Sequence, residues 1–169
     1  MTIVYHSILL LLFALIVYAA QSDLRDFTIP NFVSIAIVML YPLMIAVAPD
    51  NINWVGSLIV AISVLGVGFI FFLLNLFGAG DIKMIAALSL WAGPSLFTEF
   101  LFVTVVAGGF LVILIVSREG FRQAFEGTGF ARGIIFAFRS KTQVPYGVAV
   151  AFGGLSILLS YEKIIGIST

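Results

Sequence analysis

Residues 78–92 read GAGDIKMIAALSLWA, and whether they cross a membrane decides how the chain is organised. A membrane helix needs roughly 20 mostly apolar residues. The uncharged part, 84–92, falls short of that. It becomes long enough only if the helix begins near Asp81, which places a carboxylate in its first turn. On either side the apolar runs are plainer. They cover 4–20, 32–47 and 55–77 before the stretch, and 96–116 and 144–159 after it. With residues 81–92 included, the chain reads as an all-α, polytopic membrane protein of about six transmembrane helices, forming a single domain over residues 1–169.

Composition requires a membrane. Of the 169 residues, 62% are hydrophobic and only 9% charged. A soluble domain carries about 25% charged residues, and one of this size could not hide so much apolar surface from water. The first run lacks a basic segment ahead of it and is followed by further spans, so it reads as a retained helix rather than a cleaved signal.

Basic residues set the orientation, because cytoplasmic loops collect Lys and Arg. Arg25, Lys83, Arg118, Arg122, Arg132, Arg139 and Lys141 fall in alternate connections, whereas the other set holds only Lys163. Six helices with both termini outside the cytoplasm satisfy this asymmetry. Without a span at 81–92, the basic segment after it would lie on the wrong side. That segment, 117–143, is too polar to span. Phe121 and Phe125 are four apart, as are Arg118 and Arg122, which would give a helix neighbouring apolar and basic stripes. Residues 118–141 therefore read either as an amphipathic interfacial piece or as a loop held inside by its charges. Gly127, Gly129 and Gly133 argue against one continuous helix. Gly66, Gly68, Gly108, Gly109, Gly153 and Gly154 read as sites of close helix packing.

Several chemistries are excluded. There is no cysteine, hence no disulfide, thiolate nucleophile, Cys zinc site or iron–sulfur cluster. The lone histidine, His6, cannot build a His-rich metal site, and it reads as an interfacial residue. A net charge of zero provides no general field for nucleic acid. No metal and no cofactor is expected.

Two aspartates remain. Asp23 follows the first helix and Asp81 begins the fourth, both on the cytoplasmic side of this topology. Each could be a solvated helix end, since charge at the membrane edge costs less than at its centre. The turn Gly78-Ala79-Gly80-Asp81 would let an extended peptide approach the backbone closely, or it could be an ordinary loop capped by Asp. It is no dinucleotide turn, because no strands alternate with helices around it. Pro30 breaks the chain ahead of the second helix, and Asp26 could pair with Arg25 or stay solvated.

Two carboxylates suffice for peptide hydrolysis. One, ionised, takes a proton from water; the other, protonated, donates to the scissile carbonyl. A Ser–Lys dyad on Lys83 lacks an identifiable serine. A helix amino end favours negative charge and a carboxyl end disfavours it. Asp81 should therefore ionise more readily, leaving the proton on Asp23. A proton-coupled transporter is the competing reading, but mid-membrane polar groups amount to little more than Ser63 and Asn75. A non-catalytic membrane scaffold is a third. Tyr41 and Trp54 read as packing or interface residues, while Asp50, Glu99 and Glu162 fall on the outer side.

The stretches DLRDFTIPN, GAGDIKMIAAL and VPYGVAVAFGG, in this order and spacing, resemble the type IV prepilin peptidases. The likeness is to the small form attached to Flp-type (tight-adherence) pilus systems, which is akin to archaeal preflagellin peptidases. The resemblance covers essentially the whole chain. It implies a GxGD-class intramembrane aspartyl protease of the bacterial inner membrane. Its substrate would be a prepilin or pilin-like precursor, cut where a basic cytoplasmic leader meets an apolar helix. Apart from that precursor, the expected partner is membrane lipid. By position, Asp23 and Asp81 match the two catalytic aspartates, and Gly78 and Gly80 the active-site turn. Arg25, Pro30, Asn31, Lys83, Pro145, Tyr146 and Gly147 match supporting positions. Larger members carry a cytoplasmic domain with paired Cys-x-x-Cys motifs and methylate the cleaved pilin. No cysteine is present here, so no N-terminal methyltransferase domain is expected.

Overall fold

The computed structural model describes residues 2–48, 52–125 and 145–167, with side chains at 3–48, 52–118 and 145–161. It is all-helical, with five helices: α1 Thr2–Asp26, α2 Asn31–Val47, α3 Trp54–Leu73, α4 Ala79–Phe125 and α5 Tyr146–Ile167. Three stretches are long and apolar enough to cross a membrane: Ile3–Asp26, Trp54–Leu73 and Ala79–Arg118. Asn31–Val47 and Tyr146–Tyr161 are shorter apolar helices.

α4 is broken once. Gly93 takes φ 57° and ψ −172°, a left-handed conformation that costs a glycine little. Pro94 follows, where its missing N–H is no loss at the start of a new helical arm. A Cβ at Gly93 would also lie 2.7 Å from Ser57 Oγ. The expected linker between the fourth and fifth helices is thus a single residue, and α4 folds into a first arm (79–92) and a second arm (94–125). The helix runs on through Phe125, so residues 118–125 are helical, and the rest of the 118–141 segment lies outside the described residues.

Neighbouring side chains set the direction of each rod. Trp91 O accepts from Tyr161 OH at 3.0 Å, while Leu88 lies against Gly154, so α5 runs parallel to the first arm. Against the second arm it runs antiparallel, since Gly153 meets Phe100 and Thr104 whereas Gly108 faces Ala149. α1 is antiparallel to α5, with Asp23 by Gly147, Ile16 by Gly154 and Tyr5 by Tyr161. α2 runs with the first arm, as the Lys83–Asn31 and Trp91–Ile37 hydrogen bonds show. α3 opposes it, Gly68 facing Ile82 and Ser57 facing Gly93.

The first arm is central. Met84, Leu88 and Ser89 are fully buried, and Ile82, Ala86, Ala87, Leu90, Trp91 and Ala92 nearly so. A helix apolar on every side belongs in an interior, and fourteen residues give it only about 21 Å. Its shortness, ambiguous in the sequence, follows from this place: the other helices wrap it. At its far end Trp91 donates to Ile37 O at 2.9 Å and meets Tyr41 and Tyr161 edge-on, tying α2, α4 and α5 together away from the aspartates.

Of the six glycines read as packing sites, Gly68 and Gly153 lie where a side chain would collide with a neighbouring helix, Gly154 where one would press on Ile16 and Leu88, and Gly108 where one would meet Ala149. Gly66 and Gly109 face open space. α3 is the least embedded helix, with Ser57 its only fully buried side chain among those described.

Candidate active site

The three motif stretches meet at one end of the bundle. α1 is longer than the 4–20 run, reaching about 37 Å. Asp23 therefore lies within its last turns rather than after it, and it is 4% exposed. Phe27 closes the helix by donating to Asp23 O at 3.0 Å, then turns the chain with φ 49°. Ser22 Oγ donates to Thr28 O at 2.9 Å across the bend. Ile29 is buried beneath it. Pro30, extended at φ −61° and ψ 136°, caps α2 and accepts from Val33 N at 3.1 Å.

Asp81 is in the first turn of α4, as the sequence predicts, and is half-buried. Gly78 and Gly80 act through space rather than conformation, since among the described glycines only Gly93 has a positive φ. A Cβ on Gly78 would stand 3.0 Å from Asp81 Oδ2, so its absence gives the carboxylate room to fold back. A Cβ on Gly80 would lie 3.4–3.5 Å from Ile29 Cβ, N and O, so the α4 turn lies flat on the 27–30 bend. Lys83 Nζ donates to Asn31 Oδ1 at 3.0 Å and fastens the same two elements from outside.

The third stretch completes the end. Pro145 is buried, and its carbonyl accepts from Val148 N at 3.2 Å. Tyr146 sets its ring 5.9 Å from that of Phe77. Gly147 is buried and donates its backbone N–H to Asp23 Oδ2 at 2.7 Å. Asp81 lies within electrostatic reach of Asp23 and has no hydrogen-bond donor among the described residues. Arg25 and Asp26 are exposed on the rim.

This geometry can hold two carboxylates as an interacting pair, one tethered by a backbone donor and the other more accessible. Among the described residues no cluster of His, Cys, Asp or Glu could hold a metal ion. Sequence reasoning assigned no part to Ile29 or Phe77. Ile29 is the floor on which Gly80 and Gly147 both rest, and Phe77 partners Tyr146. Both stand inside or beside quoted motifs, so proximity to the glycines and Pro30 was the available signal.

Beside this end an apolar cavity of about 810 Å³ opens between α3, the second arm of α4 and α5. Ile82, Tyr146, Val67 and Gly109 line it where it nears the aspartates, and Ile59, Phe97 and Leu101 line it further along.

No curated protein and no solved structure matches the chain. A family model does: the type IV leader peptidase family, over residues 10–113. The match spans most of the chain and includes Asp23, the Gly78–Asp81 turn and Lys83, and with the third stretch closing on the same end, the chain belongs to the type IV leader peptidase family.

Proposed function

We propose that this leader peptidase is an aspartic endopeptidase of the bacterial inner membrane. It removes the basic cytoplasmic leader from a prepilin or pilin-like precursor of the Flp type, using Asp23 and Asp81 to activate water. The observation that carries this reading is the meeting of two aspartates, from helices separated in sequence, at one end of the bundle. One ionised carboxylate accepts a proton from the attacking water, and the other, protonated, polarises the scissile carbonyl. The proposed topology has six spans, counting the two α4 arms separately, with both termini outside. The alternating directions of the rods support it, because they bring Arg25 and Lys83 to the aspartate end. The second arm also delivers Arg118 there.

Transport has less support. Besides Asp23, no carboxylate, histidine, lysine or arginine is buried among the described residues, and the other buried polar groups are the hydroxyls of Ser34, Ser57, Ser89, Tyr5 and Tyr41. The deciding experiment incubates the purified chain with a leader-bearing precursor and, separately, measures proton-coupled uptake in proteoliposomes. The expected result is a product shortened by the leader and no uptake; uptake without cleavage overturns the proposal.

The precursor's apolar helix is proposed to lie in the 810 Å³ cavity, whose near end is lined by the sequence neighbours of Asp81 and Gly147. A helix seated there runs directly onto the aspartates. Gly109 faces this space with nothing within 4 Å of a built Cβ. Gly109→Leu should therefore fill the cavity without straining the fold. It should raise KM for the precursor severalfold and leave kcat within about twofold, the pattern of lost uniform binding. An unchanged KM would place the helix elsewhere, in lipid.

A further inference from the structure

The two aspartates do not have equivalent surroundings. Asp23 is almost wholly buried, and its Oδ2 receives the Gly147 N–H at 2.7 Å, within the range of charge-assisted hydrogen bonds. Gly147 is the second residue of α5, so this N–H has no partner within its own helix. The amino end of a helix carries positive partial charge. Asp81 also lies in the first turn of a helix, but it receives no hydrogen bond among the described residues and faces the charge of Asp23.

The space around Gly147 is as specific as the bond. A Cβ built there lies 2.9 Å from Asp23 Oδ2, 3.0 Å from Asp23 Cβ and 2.9 Å from Ile29 Cδ1. Ile29 Cδ1 is the tip of a flexible side chain and can move. Asp23 Cβ is attached to the backbone of α1 and cannot swing aside, so any side chain at 147 displaces the carboxylate itself.

We propose that the amino end of α5 is a fixed cradle for the Asp23 carboxylate, that Gly147 is the positioning residue that builds it, and that Asp23 is thereby the ionised member of the pair. This inference rests on the dyad reading above. It reverses the division expected from sequence, in which the proton sat on Asp23. The steps then balance. Asp23 takes a proton from water as its oxygen bonds to the scissile carbon, and Asp81 gives its proton to the carbonyl oxygen. Asp23 passes its proton to the departing nitrogen as the C–N bond breaks. The new carboxyl returns a proton to Asp81.

The test compares wild type, Gly147→Ala, Gly147→Ala with Ile29→Ala, Asp23→Asn and Asp81→Asn, each purified as the full chain and assayed on a leader-bearing precursor. Gly147→Ala should lower kcat about 10- to 100-fold, the order expected when a reacting group is displaced by about 1 Å. KM should stay within about twofold, and adding Ile29→Ala should not restore kcat. Wild-type kcat in Gly147→Ala, or its recovery with Ile29→Ala, overturns the inference, since Gly147 would then merely make room for Ile29. If both Asp→Asn variants cleave normally, the dyad reading itself fails. Dead Asp variants beside a fully active Gly147→Ala sink only this inference. A second measurement needs no folded glycine variant. In protein labelled with ¹⁵N-glycine, the Gly147 amide proton should resonate far downfield and shift upfield in Asp23→Ala; an unchanged resonance rejects the cradle.

Discussion

Asp23→Asn and Asp81→Asn should each abolish precursor cleavage while leaving the protein inserted in the membrane at wild-type level. An amide matches a carboxylate in shape but cannot accept and return a proton at neutral pH. General acid–base groups contribute about 10²–10⁴-fold to a rate, so the residual activity should be at least that far below wild type. Neither change should damage the fold. The amide introduced by Asp23→Asn would keep an oxygen to accept the Gly147 N–H, and Asp81→Asn loses no hydrogen bond among the described residues. Asp26→Asn is the matched control. Asp26 is exposed on the rim, three residues from Asp23, and its loss should leave cleavage close to wild type. Mobility shift of a co-expressed precursor reads all three variants. Full cleavage by either of the first two removes the dyad, and a dead Asp26→Asn assigns the first carboxylate of the pair to Asp26.

Gly153→Val should be the most damaging of the packing substitutions. At Gly153 a Cβ would run into Thr104 Oγ1 and lie 2.9 Å from both Phe100 Cδ2 and the Phe100 carbonyl oxygen. The hydroxyl cannot retreat freely, because it already donates to that carbonyl at 2.8 Å. Phe100 is itself fully buried. α5 must then move away from the second arm of α4. Overpacking of this kind costs roughly 1–3 kcal/mol, and within a membrane close van der Waals packing is a main source of helix association. The shift would also be felt at Gly147, less than two turns along the same helix. Thermal unfolding in detergent should show a lower Tm for Gly153→Val and an unchanged or higher one for Gly66→Ala, which sits inside α3 where a Cβ meets nothing within 4 Å. Equal Tm values for the two variants would mean that α5 is not seated as described.

Residue type and spacing carried much of the reading. Low charge and long apolar runs require helices in a bilayer, because only there can so much apolar surface and so many backbone amides be accommodated. Asp81 in a first turn followed from the need to lengthen the 84–92 run, and α4 begins at Ala79. The end of α1 was misjudged for a related reason. Hydropathy marks where a helix leaves lipid, not where its hydrogen bonds stop, so Asp23 was placed beyond a helix that contains it. The glycines of the Gly-x-Gly turn are credited by the sequence with conformational freedom, which neither uses. Their use here is the room they leave for Asp81 and Ile29, a property of neighbours that no local string encodes.

The sequence by itself determined an all-helical membrane chain, its family and the order of its motifs, since these depend on composition, period and local spacing. Tertiary structure alone decided that the short first arm of α4 is the centre of the bundle, because burial on every side depends on which helices surround it. It alone also decided that Asp23 meets the amino end of a helix remote in sequence, while Asp81 keeps its expected place in the first turn of its own helix. The bond from Gly147 to Asp23 joins groups 124 residues apart, and it exists only because α1 and α5 pack antiparallel with no side chain between them.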